Sequence, residues 1–125
     1  MKTFAKMIVI ISGLFLFTFS QDQGQWKKIQ TFTGSGIEST DDFYIKAKKW
    51  RVVWKASETY SGAGLFFSGF IKCDDGCGSL GKLFGNIVEP DNGVSVFRTR
   101  GSHYIEINSS NCDWNIEIQE YVNIK

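Results

Sequence analysis

The feature that most constrains the fold is an alternation of apolar and polar residues with a period of two. It is clearest in the segments 50–55 and 114–119. Successive side chains of a β-strand point to opposite faces of the sheet, so this alternation is typical of strands that are buried on one side. The apolar positions of the two segments are therefore predicted to form the core: Trp50, Val52, Trp54, Trp114, Ile116 and Ile118.

Other segments with strand character follow at short intervals. They are 26–33, 65–71, 83–88, 94–99 and 104–108, with 43–45 either a short strand or the start of the strand at 50–55. Turn-forming Gly, Asn, Asp and Ser residues separate them. Seven or eight short strands with this spacing predict an all-β fold, namely a single antiparallel β-sandwich of jelly-roll or immunoglobulin-like type.

The first twenty residues differ from the rest and predict export. Lys2 and Lys6 come before an apolar run at 7–19, and the segment ends in small residues of the kind that a signal peptidase recognises. The run is shorter than the roughly 20 apolar residues that a membrane-spanning helix needs. We expect a signal peptide at 1–20, a β-sandwich domain at 21–125, a secreted, periplasmic or extracellular location, and no membrane span after cleavage.

The charge of the domain gives no support for nucleic acid as a partner. The chain has 14 Lys and Arg residues and 13 Asp and Glu residues, and removal of Lys2 and Lys6 leaves 12 basic residues. A nearly neutral domain lacks the basic surface that counterion release requires. Local basic runs at 27–28 and 46–55 alternate with apolar residues, and we interpret them as solvated strand faces.

The three cysteines, Cys73, Cys77 and Cys112, favour one disulfide in an exported protein, with one thiol left over. If the strands after residue 65 form hairpins, successive turns lie at alternate ends, so Cys73 and Cys77 share one end and Cys112 lies at the other. A disulfide needs Cα atoms within about 7 Å, which favours Cys73–Cys77. Loop-closure entropy favours a long-range bridge to Cys112 instead, and that alternative stays open.

The same alternation of turns predicts one rim of the sandwich as the binding site. Loops 34–42, 73–81 and 98–103 are expected to converge there, and binding residues concentrate in loops that a rigid scaffold holds. The opposite rim, around 89–93, is expected to tolerate substitution better. The candidate binding residues are Asp41, Asp42, Asp74, Asp75, Arg98, Arg100 and His103.

Calcium and sugars are the ligands that this sequence brings into consideration. The four aspartates of the rim offer oxygen ligands for calcium, but aspartate also favours turns and no D-x-D-x-D spacing occurs, so we expect no cofactor. A carbohydrate-binding module is an alternative, because a thin core does not bury every large ring. The rings that it would use are Trp26, Tyr44, Tyr60, Tyr104 and Tyr121.

A small extracytoplasmic hydrolase is the remaining alternative. It would need His103 as the base for Cys112 or a serine nucleophile. No catalytic motif surrounds His103, so a non-catalytic protein is the expectation. Asn108-Ser109-Ser110 is also an N-glycosylation sequon, which we expect to lie in a turn.

The C-terminal part of the chain resembles the ending of many small secreted bacterial proteins of unestablished function. Their pattern is G-x-Y-Y-h-x-I, with h apolar, then a short polar turn and C-x-W-x-I-x-V-E. The corresponding segments are 101–107 and 111–118, and Trp50-Arg51-Val52-Val53-Trp54 resembles the W-x-h-x-W strand of those proteins. His103 stands where the pattern usually has an aromatic residue. The resemblance implies a sandwich-like extracytoplasmic domain and brings no activity.

These observations predict a secreted, non-catalytic binding or surface-interaction module. Its partner is expected to be an extracellular or cell-envelope ligand, with glycans among the candidates.

Overall fold

Strands account for the regular structure of residues 24–73 and 82–123, which are the parts of the chain that the computed structural model describes. The predicted signal peptide at 1–20 lies outside the described residues. No helix in the described ranges is long and apolar enough to cross a membrane. The strands are β1 (Gly24–Ser35), β2 (Glu38–Ser39), β3 (Phe43–Ile45), β4 (Trp50–Glu58), β5 (Phe66–Cys73), β6 (Lys82–Ile87), β7 (Asp91–Phe97), β8 (Gly101–Ser110) and β9 (Cys112–Asn123).

The strands form two antiparallel sheets that pack face to face. The first has the order β1-β9-β4-β7, and the second has the order β2-β8-β5-β6, with β3 also paired to β8. Pairing runs from the chain ends inward: β1 with β9, β2 and β3 with β8, β4 with β7, and β5 with β6. A long two-stranded ribbon folded over in this way is a jelly roll. The predicted β-sandwich is confirmed, and its strand order is that of the jelly roll rather than the immunoglobulin fold.

The structure differs from the sequence prediction in the number of strands and in the position of the sequon. The described residues contain nine strands rather than seven or eight, because β2 is an additional short strand. Of the two predictions for residues 43–45, the separate short strand is confirmed, since β3 pairs with β8 in one sheet while β4 pairs with β7 and β9 in the other. Residues 46–49 therefore carry the chain across the end of the sandwich, from one sheet to the other. The sequon residue Asn108 lies within β8 rather than in a turn.

The core lies between the sheets and is rich in aromatic rings. Trp50 is fully buried, and its ring centroid lies 5.7 Å from that of Phe43, 5.0 Å from that of Phe97 and 5.0 Å from that of His103. Alternate residues of β4 and β9 are buried, as expected for strands that present one face to a core. All six predicted core residues, Trp50, Val52, Trp54, Trp114, Ile116 and Ile118, are confirmed as buried.

The sandwich has two distinct ends because the chain reverses direction at each connection. Cys73 pairs with His103, and Phe66 pairs with Ser110 at the other end of the same two strands. In the other sheet Trp50 pairs with Glu120 and Glu58 pairs with Cys112. We name the two ends the Cys73 end, which includes residues 46–50, 98–103 and 120–123, and the Asn111 end, which includes residues 59–64, 88–90 and 111.

The expected convergence of loops at the Cys73 end is wrong for the start of loop 34–42. The Gly36 amide donates to the Cys112 carbonyl oxygen at 3.4 Å, and the Gly36 carbonyl oxygen accepts from the Ser109 hydroxyl at 2.7 Å. The start of loop 34–42 therefore lies at the Asn111 end. From there the chain runs along β8 through the short strand β2, which the sequence pattern does not reveal, and reaches β3 at the Cys73 end.

The structure answers part of the question of which cysteines form a disulfide. Cys112 is a buried free thiol, so the alternative in which it forms a long-range disulfide is wrong. Cys77 lies outside the described residues, and its pairing with Cys73 stays a prediction.

Candidate cationic cleft

A cleft of about 670 Å³ opens at the Cys73 end of the sandwich. Its volume falls within the range of about 300–1,000 Å³ that is usual for small-ligand sites. Strands β1 and β9, the segment 46–49 and the residue that follows β7 form its walls. The lining residues are Lys27, Lys46, Ala47, Lys48, Lys49, Arg98, Glu120, Tyr121, Val122 and Asn123.

Basic side chains dominate this cleft. Lys27 comes from β1, Lys46, Lys48 and Lys49 come from the segment between β3 and β4, and Arg98 follows β7. These three parts of the chain are far apart in sequence, and only the pairing of β1 and β4 with β9 brings the first two together. A cleft lined by charges of one sign focuses the electric field and raises the local concentration of counterions.

The lining carboxylate, that of Glu120, is engaged by the backbone. Its side chain is only 8% exposed, and Oε2 accepts from the Lys46 amide at 2.6 Å and from the Ala47 amide at 3.3 Å. The amide of Tyr121 donates to the Lys49 carbonyl oxygen at 3.0 Å. Both ends of segment 46–49 are thus hydrogen-bonded to β9, through Glu120 at one end and Tyr121 at the other. These bonds fix the backbone that carries the three lysines.

Two cations lie over aromatic rings, one in the cleft lining and one beside it. Lys49 Nζ is 4.2 Å from the Tyr121 ring centroid, and the Arg51 guanidinium carbon is 4.1 Å from the Trp26 ring centroid. Trp26 and Tyr121 contact each other edge to face at 5.0 Å, and Arg51 Nε donates to Gln119 Oε1 at 2.6 Å. Cation–π contacts of this kind favour particular positions of the charged groups. We call Trp26, Tyr121, Lys49 and Arg51 the ring patch.

His103 is a core residue that supports the segment bearing Arg98. Its side chain is 1% exposed and lies against Phe43 and Trp50. Its Nδ1 is 2.9 Å from the Gly101 carbonyl oxygen and therefore carries the proton, and Nε2 accepts from the Thr99 hydroxyl at 3.1 Å. Burial lowers the pKa of His103, because the charged imidazolium is poorly solvated there.

The structure places the basic and histidine members of the predicted rim in three different environments. Arg98 lines the cleft and is exposed. Arg100 is exposed at the same end but does not line the cleft. His103 is buried, so its ring is not accessible to a ligand at the rim.

The aspartates of the predicted rim do not lie in the cleft lining. Asp41 and Asp42 are exposed between β2 and β3, along the sheet edge beside residues 103–105 of β8. Asp74 and Asp75 lie outside the described residues. Within the described ranges, no group of three or more His, Cys, Asp or Glu side chains is placed to hold a metal ion.

The hydrolase pair considered from sequence does not assemble. His103 lies at the Cys73 end, whereas Cys112 follows Ser110 and Asn111 at the opposite end. The ring nitrogens of His103 are engaged by Thr99 and Gly101. Burial, together with the nearby Asp113 carboxylate, raises the pKa of the Cys112 thiol, which disfavours the nucleophilic thiolate.

Sequence reasoning missed the residues that form most of the cleft. The sequence pattern predicts that Lys46, Lys48 and Lys49 lie on a solvated strand face. A usable signal was present, because Lys46-Ala47-Lys48-Lys49 has no large apolar residue and so breaks the alternation that resumes at Trp50. No local signal in the sequence indicates that the Glu120 side chain accepts hydrogen bonds from the backbone of this segment.

Comparisons with known proteins leave the cleft as the basis for a functional argument. No family model matches the chain, and neither the curated proteins nor the solved structures give a match. The resemblance to small secreted bacterial proteins therefore stays an untested prediction.

Proposed function

We propose that this protein is a non-catalytic binding module and that the cationic cleft binds an anionic ligand. The observation that carries the proposal is the composition of the cleft: among the residues that the structure describes, five basic residues line it, and the one lining carboxylate is already hydrogen-bonded to backbone amides. An exported protein would meet this ligand outside the cytoplasm, as a component of the cell envelope or the surroundings.

The concentration of positive charge in the cleft contrasts with the overall balance of the chain. With 14 basic and 13 acidic residues, the protein has little net charge to attract anions over long distances. A single exposed ion pair contributes only about 0–1 kcal/mol, so specific anion binding needs several cations acting together. The cleft is a place where five are grouped.

The arrangement of the rings supports an anionic ligand over a neutral sugar. A neutral sugar would be expected to use a flat row of bare aromatic rings. Tyr44 lies on β3 and Tyr60 lies at the Asn111 end, so these two exposed rings do not belong to one platform. The rings nearest the cleft, Trp26 and Tyr121, are covered in part by Arg51 and Lys49.

Charge reversal on both sides of the cleft tests the proposal. The double variant K48E/R98E changes one lysine of segment 46–49 and the arginine that follows β7, both of which are exposed. We expect it to weaken binding of dextran sulfate or polygalacturonate at least about tenfold, equivalent to roughly 1.4 kcal/mol. Isothermal titration calorimetry measures the dissociation constants.

The matched control is K55E/K82E. Lys55 lies on β4 and Lys82 lies on β6, and both are exposed and outside the cleft. This variant has the same net charge as K48E/R98E, so equal losses from the two variants would show a general charge effect and contradict a localised site. Failure of every anionic probe to bind the unmodified protein would also contradict the proposal.

A further inference from the structure

We infer that the ligand of the cationic cleft is an acidic polysaccharide, a polymer whose sugar units carry carboxylate or sulfate groups. The inference rests on the proposed function and deepens it by assigning a ligand class. The deciding question is whether the cleft suits one small anion or a chain of anionic units.

The backbone amides at the cleft that could hold a single small anion are already engaged. Compact anions are usually held by backbone N–H groups that converge on one point. The converging amides here belong to Lys46 and Ala47, and both donate to the Glu120 carboxylate. The protein thus supplies its own anion at the position in the cleft where these two amides would otherwise hold a free phosphate or sulfate.

The remaining donors are side-chain cations distributed along the end of the sandwich. Arg98 lies at one side, Lys46 and Lys48 lie on the crossing segment, and Lys27 lies on β1. The ring patch then extends the positive charge onto the outer face of the first sheet, through Arg51 on β4. Spaced cations match a ligand that presents several anionic groups in succession.

Multivalent contact also provides the affinity that these exposed cations lack singly. Each exposed pair is worth little, but linked anionic groups bind intramolecularly after the first contact, and avidity then exceeds single-site affinity by about 10²–10⁴. Lys49 and Arg51 are already held over the rings of Tyr121 and Trp26. Positioning them in advance reduces the side-chain entropy that is lost on binding.

A sugar polymer fits these observations better than single-stranded nucleic acid or an anionic membrane. Nucleic-acid sites of this kind combine basic grooves with free aromatic faces on which bases stack, whereas cations lie over Trp26 and Tyr121 here. The lining cations come from β1, the segment 46–49 and the end of β7 and surround an open depression, which suits a strand-like ligand that contacts them in succession more than a bilayer.

The experiment compares five probes on the full mature protein by isothermal titration calorimetry. The probes are polygalacturonate, galacturonate, uncharged dextran, a single-stranded oligothymidylate and vesicles that contain phosphatidylserine. We expect polygalacturonate to bind at least about 100-fold more tightly than galacturonate, which reflects linked contacts. K48E/R98E is expected to remove most of that difference, and K55E/K82E is expected to retain it.

The outcomes separate this inference from the proposed function. Equal affinity for galacturonate and polygalacturonate, with sensitivity to K48E/R98E, would overturn the polymer and leave the anion site standing. Tighter binding of oligothymidylate or of vesicles than of polygalacturonate would overturn the ligand class. Binding of uncharged dextran at the level of polygalacturonate, or of no probe at all, would overturn both.

Discussion

His103 shows how a single residue can carry a misleading signal in sequence. As the one histidine of the chain, it is the residue that the sequence favours as a rim ligand or a catalytic base. It also shares the strand face of Ile105 and Ile107, and the structure places all three in the core. The sequence pattern does not reveal that Thr99 and Gly101 satisfy both ring nitrogens, because that depends on the turn before β8.

Burial of His103 predicts that stability falls in mild acid. The folded state lowers the pKa of His103 below its ordinary value of about 6.5, so the unfolded chain binds more protons in this range. The stability due to the neutral ring is fully present above about pH 6.5 and is lost as the pH falls from there through the folded-state pKa. Thermal unfolding between about pH 7.5 and pH 4.5 measures the effect.

The matched variant for this prediction is His103→Phe, which keeps a ring against Phe43 and Trp50 but does not titrate. Its melting temperature should fall less than that of the wild type on acidification below pH 6.5. Parallel pH profiles for the two proteins would show that His103 makes no contribution to acid sensitivity.

At the scale of elements, the crossing segment 46–49 is the part of the fold that sequence described least well. The strands on either side of it were predicted, because alternation is a local property of the chain. The segment itself depends on Glu120, which is 74 residues from Lys46 in sequence. Its conformation is therefore set by a non-local contact that no local pattern reports.

Glu120 is expected to act as a positioning residue for the lysines of this segment. Glu120→Ala leaves the Lys46 and Ala47 amides without their acceptor, whereas Glu120→Gln retains a side-chain oxygen for them. We expect Glu120→Ala to weaken dextran sulfate binding several-fold and to lower the free energy of unfolding by about 1–3 kcal/mol. Glu120→Gln should bind dextran sulfate at least as well as wild type, because it removes a negative charge from the cleft.

The two substitutions separate positioning from simple electrostatics. If Glu120 acted only through its charge, both variants would lose the same repulsion and both would bind dextran sulfate more tightly. Titration calorimetry at one salt concentration distinguishes the two patterns, and tighter binding by Glu120→Ala would contradict the positioning role.

At the scale of the whole molecule, the sequence indicates which face of a strand is buried but not which strands lie next to each other in a sheet. Alternation identified the core positions of β4 and β9 and the β-sandwich class, because burial of one face leaves a direct record in the residues. Which strands become neighbours is a different matter. The jelly-roll order pairs β1 with β9 and β4 with β7, across long separations in sequence.

The cleft is a consequence of that long-range pairing. Lys27 lies near the start of the described chain and Tyr121 near its end, yet both line the same cavity because β1 runs antiparallel to β9. The prediction that the Cys73 end is the functional one agrees with the position of the cleft and of Arg98, but only a binding measurement tests it. The Asn111 end offers the natural comparison.

Backbone NMR during titration with an oligogalacturonate tests the central claim most directly, since it reports binding residue by residue. The amides of residues 46–49, Arg98 and Tyr121 are expected to shift and to reach saturation together with one dissociation constant. Residues 88–93 and Asn111, at the opposite end, are expected to stay unchanged. Shifts that concentrate at residues 88–93 and Asn111, with residues 46–49 unaffected, would contradict the assignment of the cationic cleft as the binding site.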